Sequence, residues 1–555
     1  MTYYVDCGAA APAGSGSMQA PLRSITEVNS LLLLPGDSVL FKRGSTCTGE
    51  LQPQGSGTEA APIRVAAYGE GALPRVVADA RDAAALRLSN QQFWEIQSLD
   101  LSGGTTYGVL VETSSGTLHH LVLRDLRVHD VRGLLRHKES GLIVIHPTNG
   151  NGGFDGVLVE GVHAFNTTQW SGIFISGATH VQVRSSVVHD VQGDGIVVFR
   201  SQNATISQSV AWHTGMQHQE TIGTPNAIWT WRCTDCTVED NEAFLTDSPG
   251  IDGGAFDIDF GNMRNTVQRN FGHDTAGYCV SVFGAFGPTT DSVVADNLCL
   301  HNGMSPHLAQ RQGALLLMTW QGGYLDGVEI RGNRIDWTPP GDTPAIQSGS
   351  EVLASKITLH DNVVESTGVS FVDPELKYTG ERNRYSTEAS FGMEEARRRM
   401  ALLPEKDSTL SVEEEASLRL AGDSKHSAGS GAWQLVATVP SRSSDADDLQ
   451  RAMLVELESA ALQYSHAGLT VTLVCDSGLA SLARDWSLAN DGVLAKLDIT
   501  NTKDDFSVRV IASNGAVVRE WRAYPGPVEL GLALRQHVGR PNFSFLPFEN
   551  VRATD

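Results

Sequence analysis

No apolar run in the sequence approaches the roughly 18 residues a membrane-spanning helix needs, so no span of that kind is expected. Basic residues are scarce. Lys and Arg number 41 against 64 Asp and Glu, and the formal charge of -23 argues against nucleic acid or an anionic membrane surface as partner. Cysteine is sparse as well: seven in 555 residues is an odd number and too few for a disulfide scaffold. Cys7 and Cys47 are candidates to pair near the N-terminus, which spacing alone leaves open. Cys233 and Cys236 have the spacing of a zinc half-site, but no second pair stands at a suitable distance, so metal is not expected there. The start, MTYYVDCG, lacks a charged segment followed by an apolar one and reads as no signal peptide. A cytoplasmic protein or a removed signal are the two expectations.

Long helical patterns are also few, and 56 glycines favour turns and strands. Short segments repeat instead. YGVLVE (107 to 112), SGLIVI (140 to 145), SGIFIS (171 to 176), DGIVVF (194 to 199), NAIWTW (226 to 231), GAFDIDF (254 to 260), GYCVSV (277 to 282) and GALLLM (313 to 318) stack under one another. A second repeated line includes VQVRSSVVHD (181 to 190), TVEDNEAFLT (237 to 246) and ITLHDNVVE (357 to 365). Units of roughly 22 to 36 residues that each bury one apolar column cannot fold alone but can stack as a solenoid. Strand alternation puts Val109/Val111, Leu142/Val144, Ile173/Ile175, Ile196/Val198, Ile228/Thr230, Phe256/Ile258, Cys279/Ser281 and Leu315/Leu317 inside. The intervening residues, among them Trp229, Trp231, Asp257 and Asp259, then point outward.

These residues resemble the right-handed parallel β-helix of the pectin-lyase-like superfamily over about 60 to 380, with residues 1–60 as a cap and first turns and 61–383 as the catalytic solenoid. The resemblance implies a mainly β fold and an enzyme acting on carbohydrate, commonly outside the cell, which favours a secreted or periplasmic protein whose signal has been removed. That superfamily includes hydrolases, lyases and epimerases, so fold leaves the reaction open. Residues 384–430 read as a linker. Beyond it, 431–555 alternate strands such as WQLVATVP (433 to 440) and LTVTLVCD (469 to 476) with helical stretches near 445–465, 480–492 and 528–538, which resembles a thioredoxin-like module. SRSSDADD stands where such a module carries its Cys-x-x-Cys, so a structural or binding role is expected rather than a redox one.

Two acids interrupt an otherwise apolar outward column. Residues i and i+2 of a strand are about 6.6 Å apart on one face, which suits a pair of glycosidase carboxyls. Asp257 and Asp259 are therefore the expected catalytic pair, with Asp252 in the entering loop or Glu220 as the assisting acid. Such a trio resembles the aspartates of polygalacturonase-type hydrolases, although the Gly-His-Gly and Arg-Ile-Lys motifs of those enzymes are absent. Exposed tryptophan is costly unless it stacks, so Trp229, Trp231, Trp170 and Trp320 are expected to form a sugar platform. Loops entering the same sheet from one end offer Lys138 and Asp194 as wall residues, and Arg200 and Arg232 follow the exposed strands as candidate substrate ligands. His273 and Asp274 look like a dyad, but His129-Asp130 and His189-Asp190 recur at the same position with Phe165, Trp212 and Phe244, which reads as a stacking ladder.

The expected activity is hydrolysis of a polysaccharide or oligosaccharide. A lyase or epimerase is the alternative and would want a base such as Lys138, His146 or Arg232, and a cation for the uronate. A glycan-binding surface protein without turnover is the third reading. No cofactor is expected, with calcium on the aspartates as an option.

Overall fold

The computed structural model describes residues 1–9, 14–150, 152–216, 222–305, 312–337, 343–349, 352–366 and 370–387, and beyond these only the backbone of seven strands. Two compact units divide the chain at Phe391 and Gly392. In the first, strands pair with the strand one repeat earlier and one repeat later, all in parallel, in three long sheets of fourteen, thirteen and ten strands among the described residues. The chain is a parallel β-helix. Parallel pairing begins at the N-terminus, where Thr2–Val5 pairs with Ser38–Lys42. A short helix, Ile25–Asn29, lies between them, its first turn closed by Ser24 accepting from the Glu27 amide at 3.2 Å.

Each turn of the coil buries one column per sheet. Val109, Ile143, Ile173, Ile196, Ile228, Phe256, Val280 and Leu315 form one such column in the ten-stranded sheet, every one of them buried. In two segments this differs from the alternation expected above. Ile143/Ile145 and Val280/Val282 face inward, and Val144 and Ser281 turn to the outer face, while Leu142 and Cys279, beside the corner where their strands begin, pack into the interior as expected. Cys279 is buried too, bonded to Cys299, and Cys7 with Cys47 and Cys233 with Cys236 form two more disulfides.

Polar stacks complete the interior. Asn241, Asn270, Asn297, Asn333, Asn362 and Asn383 occupy one corner position in successive coils, each backbone N–H donating to the Oδ1 of the next at 3.0 to 3.1 Å. The turn just before each needs a left-handed residue, which Asp240, Arg269, Asp296, Gly332, Asp361 and Arg382 supply. At another corner the rings of His129, Phe165, His189, Trp212, Phe244 and His273 stack with centroids 4.3 to 5.7 Å apart. His273 is buried, with Nδ1 on Asp274 at 2.7 Å and Nε2 on Glu242 at 3.0 Å, and these acids raise it to about 9 against the pull of burial. Both nitrogens are occupied, so the ladder is its structural setting.

In the second unit, Ala432–Val439 and Leu469–Cys475 pair in parallel, followed in chain order by antiparallel Ala495–Thr502, Asp505–Ile511 and Val517–Ala523. The sequence reading marked no strand over 495–502. The helices it expected near 445–465, 480–492 and 528–538 lie outside the described residues.

Candidate active site

On the outer face of the ten-stranded sheet, Leu110, Val144, Phe174, Val197, Trp229, Asp257, Ser281 and Leu316 run side by side across consecutive strands. The first part of this face is covered. Leu110, Val144, Phe174, Val197, Phe199 and Trp229 form a buried cluster with Ala84, and Trp170 from the preceding loop is fully buried. Trp229 and Trp170 are thus walls rather than the open platform expected for them, because the loops that enter the sheet fold over the indoles. Lys138, carried on one of those loops, stands 5.2 Å from the Trp170 ring centre and 5.7 Å from that of Trp229.

Four aspartates collect where the apolar face ends. Asp257, on strand Phe256–Ile258, is only 1% exposed, contrary to its expected place on an open surface. Its Oδ1 accepts from Ser281 Oγ at 2.6 Å and its Oδ2 from Asn226 Nδ2 at 3.2 Å. Asp194 is equally buried and does not line an open wall: the Trp170 indole N–H donates to one oxygen and the Asn226 amide to the other at 3.1 Å. Asp252 and Asp259 keep part of their surface. Asp252 accepts from the hydroxyls of Thr224 and Tyr278, the latter at 3.0 Å, and Asp259 accepts from the Phe260 amide at 2.8 Å.

Asn226 ties these groups together. Its side chain donates to Asp257 while its Oδ1 takes the Gly254 amide at 2.9 Å and the Tyr278 hydroxyl at 2.8 Å, and its own amide serves Asp194. Tyr278 reaches this point because residue 254 has no side chain: a Cβ there would lie 2.0 Å from the Tyr278 ring. Any substitution at Gly254 would displace the ring that orients Asp252.

Burial and mutual repulsion dominate the electrostatics. Desolvation lifts Asp252 to about 6 and Asp259 to about 8, each further raised by its acidic neighbours and lowered by the Lys138 charge. Asp257 is pushed well above the usual carboxylate range by burial first and by Asp259 and Asp252 next. Asp194 is also raised by burial, against Lys138 and the Trp170 N–H. Two partly exposed carboxyls whose proton affinities straddle neutrality, backed by a third buried one, can exchange a proton with a bound molecule.

Of the residues expected from sequence, Asp194, Asp252, Asp257, Asp259, Lys138, Trp170 and Trp229 meet here. Trp231 ends the strand that carries Trp229 and Arg232 follows it, with the Arg232 guanidinium 5.8 Å from the Trp231 ring centre. Arg200 packs on Phe199 at 4.6 Å, and Trp320 lies two strands beyond the acids. Glu220 lies outside the described residues. Asn226, Thr224, Tyr278 and Ser281 were not anticipated. The one-residue slip over 279–282 put Val280 in the place that Ser281 takes, and with the correct alignment the hydroxyl beside Asp257 is readable.

The family model for a right handed beta helix region matches residues 84–243 and 145–335. The sequence matches no curated protein. Among solved structures, the selenomethionine derivative of GH136 lacto-N-biosidase from Eubacterium ramulus is similar with a TM-score of 0.50 and 21% identity, over 69% of this chain and 67% of that one. DFA-IIIase from Arthrobacter chlorophenolicus A6 in complex with GF2 gives 0.40 and 14%, over 70% and 95%. Alginate lyase from Paenibacillus sp. str. FPU-7 gives 0.32 and 12%, over 65% and 97%. The likeness to the first of these, together with the parallel sheets and the family match, establishes the right-handed parallel β-helix.

Proposed function

We propose that this protein is a glycoside hydrolase in which Asp252 and Asp259 divide the roles of proton donor and of base or nucleophile. The observation that carries the reading is their partial exposure and raised proton affinity beside two wholly buried acids. A protonated carboxyl delivers its proton to the leaving oxygen while the ionised partner attacks the anomeric carbon or activates water. Asp257, out of reach of a substrate, holds Asn226 and Ser281 in place beside the pair. The reaction class is the one named for the lacto-N-biosidase that shares the fold.

Four carboxyls in one cleft disfavour a uronate, whose own negative charge would be brought among them. Lys138, placed over the tryptophans, is what favours a lyase as the second reading, since it can serve as base or neutralise a carboxylate. Incubation of the purified protein with plant, algal and microbial glycans separates the two: new reducing ends without ultraviolet absorbance indicate hydrolysis, and absorbance of an unsaturated product would replace it with elimination. Silence in both assays would leave a binding protein. The C-terminal unit is read as a thioredoxin-like structural or binding module, and the protein as one that works outside the cytoplasm.

The pH profile follows from the same groups. Turnover needs one acid charged and one protonated, so kcat/KM should fall below about pH 6 and above about pH 8. These limbs belong to the coupled cluster rather than to single residues. A profile flat across this range would show that the cluster does not transfer the proton. Chelation with EDTA is expected to leave turnover unchanged, because the mechanism uses carboxyls alone.

A further inference from the structure

Beyond Asp259 the outer face becomes aromatic and open. Phe260 follows the acid directly, its ring meeting Trp231 edge-on at 5.3 Å, Phe286 at 5.5 Å and Trp320 at 5.7 Å, and Phe283 closes the group against Trp320 at 5.6 Å. Phe286 is 65% exposed, and Trp231, Phe260 and Trp320 are each partly so. A cation edges the shelf. Arg232 holds its guanidinium 5.5 Å from the Phe260 ring centre and forms no ion pair among the described residues, whereas Arg264 and Arg269, in the same stretch of chain, are bonded to Asp235 and Asp240.

Resting on the hydrolase reading, we infer that Trp231, Phe260, Phe286 and Trp320 form a further sugar subsite, which takes a ring beyond the two that flank the bond to be cut, with Arg232 donating to an oxygen substituent of that ring. An apolar ring face covers exposed aromatic carbon without burying unsatisfied hydroxyls, since those lie around the ring edge where the guanidinium waits. The shelf continues the acid cluster without a break, because Phe260 is the residue after Asp259. Four rings fall far short of the roughly 20–30 residues a side of an ordinary protein interface. The arginine also fits a saccharide better than an apolar surface of a protein. This goes beyond the tryptophans expected from sequence, two of which are buried, and adds Phe260 and Phe286.

The test uses the full chain and a series of oligosaccharides of increasing length that carry the cleaved linkage, neutral in one set and uronate-bearing in another. In Phe286→Ala and in Arg232→Gln, the ratio of kcat/KM for long to short substrates is expected to fall about tenfold relative to wild type. An unchanged ratio in both variants would overturn the subsite. If the neutral set shows the Arg232→Gln effect, the acceptor is a hydroxyl; if only the uronate set does, it is a carboxylate. Should nothing be cleaved, the hydrolase reading fails separately, and quenching of tryptophan fluorescence by the same oligosaccharides then decides. Quenching weakened by Phe286→Ala would keep the subsite, and no quenching of the wild-type protein would remove it.

Discussion

Replacing Asp259 by asparagine, or Asp252 by asparagine, is expected to lower kcat by at least about 10³-fold on any glycan the protein cleaves. The amide keeps the shape of the carboxyl but neither donates a transferable proton nor carries a charge. The two variants should diverge on an aryl glycoside, whose departing oxygen needs no proton: the one lacking the donor recovers turnover, the one lacking the charged partner does not. Asp257→Asn should act more weakly than either, because Asp257 is buried, stays protonated through the range in which Asp252 and Asp259 titrate, and meets Asn226 and Ser281 rather than the substrate. Full activity in either Asp252→Asn or Asp259→Asn, with unchanged circular dichroism, would remove these residues from the mechanism.

The same Asp259→Asn substitution is expected to stabilise the fold. Its carboxyl rises from an ordinary 3.8 to about 8 on folding, so the native state prefers the neutral form while the unfolded chain is ionised. Stability is therefore unaffected below about pH 4 and declines as the pH climbs from there toward 8. Removing the charge should raise stability at pH 8 by at most about 5 kcal/mol and leave it unchanged near pH 4, measured as melting temperature at both values. A gain that did not depend on pH would point to packing instead.

The second large effect is structural. Asn297→Ala is expected to destabilise the solenoid by about 3–5 kcal/mol, read from denaturant unfolding. The Asn297 side chain accepts from the Asn270 amide at 3.0 Å and from Asn270 Nδ2 at 3.1 Å, and donates to the Val267 carbonyl at 2.9 Å and Asn333 Oδ1 at 3.0 Å. Alanine leaves two donors and a carbonyl buried without partners, and no water reaches a position with zero exposure. Asn383, at the end of the stack and not wholly buried, should cost less when replaced. Equal losses at both positions would show that local turn geometry, not the ladder, sets the cost.

Much of this was legible in the chain alone. A repeat that buries one apolar column per strand admits few architectures, so the parallel solenoid followed from periodicity, and the recurrence of His, Phe and Trp at one corner marked a stack before any ring was placed. The acid cluster was legible for a similar reason, since charge in an apolar column has a cost that only a site or a solvated surface offsets. Register was less secure. Over 142–145 both alternations offer apolar residues, and only the neighbouring strands' hydrogen bonds choose between them; over 279–282 the apolar pair is Val280 and Val282, and taking Cys279 and Ser281 as the inner pair is why the Ser281 hydroxyl was missed. Burial was beyond the sequence altogether. Whether a side chain on the outer face meets water depends on loops from other turns of the coil, and these covered Trp170, Trp229, Asp194 and Asp257 while leaving Asp252, Asp259 and Phe286 accessible. Sequence determined the coil and the company of acids, because periodicity and composition are local. The tertiary structure alone decided which acids a substrate can touch, because solvent access is a property of everything packed around them.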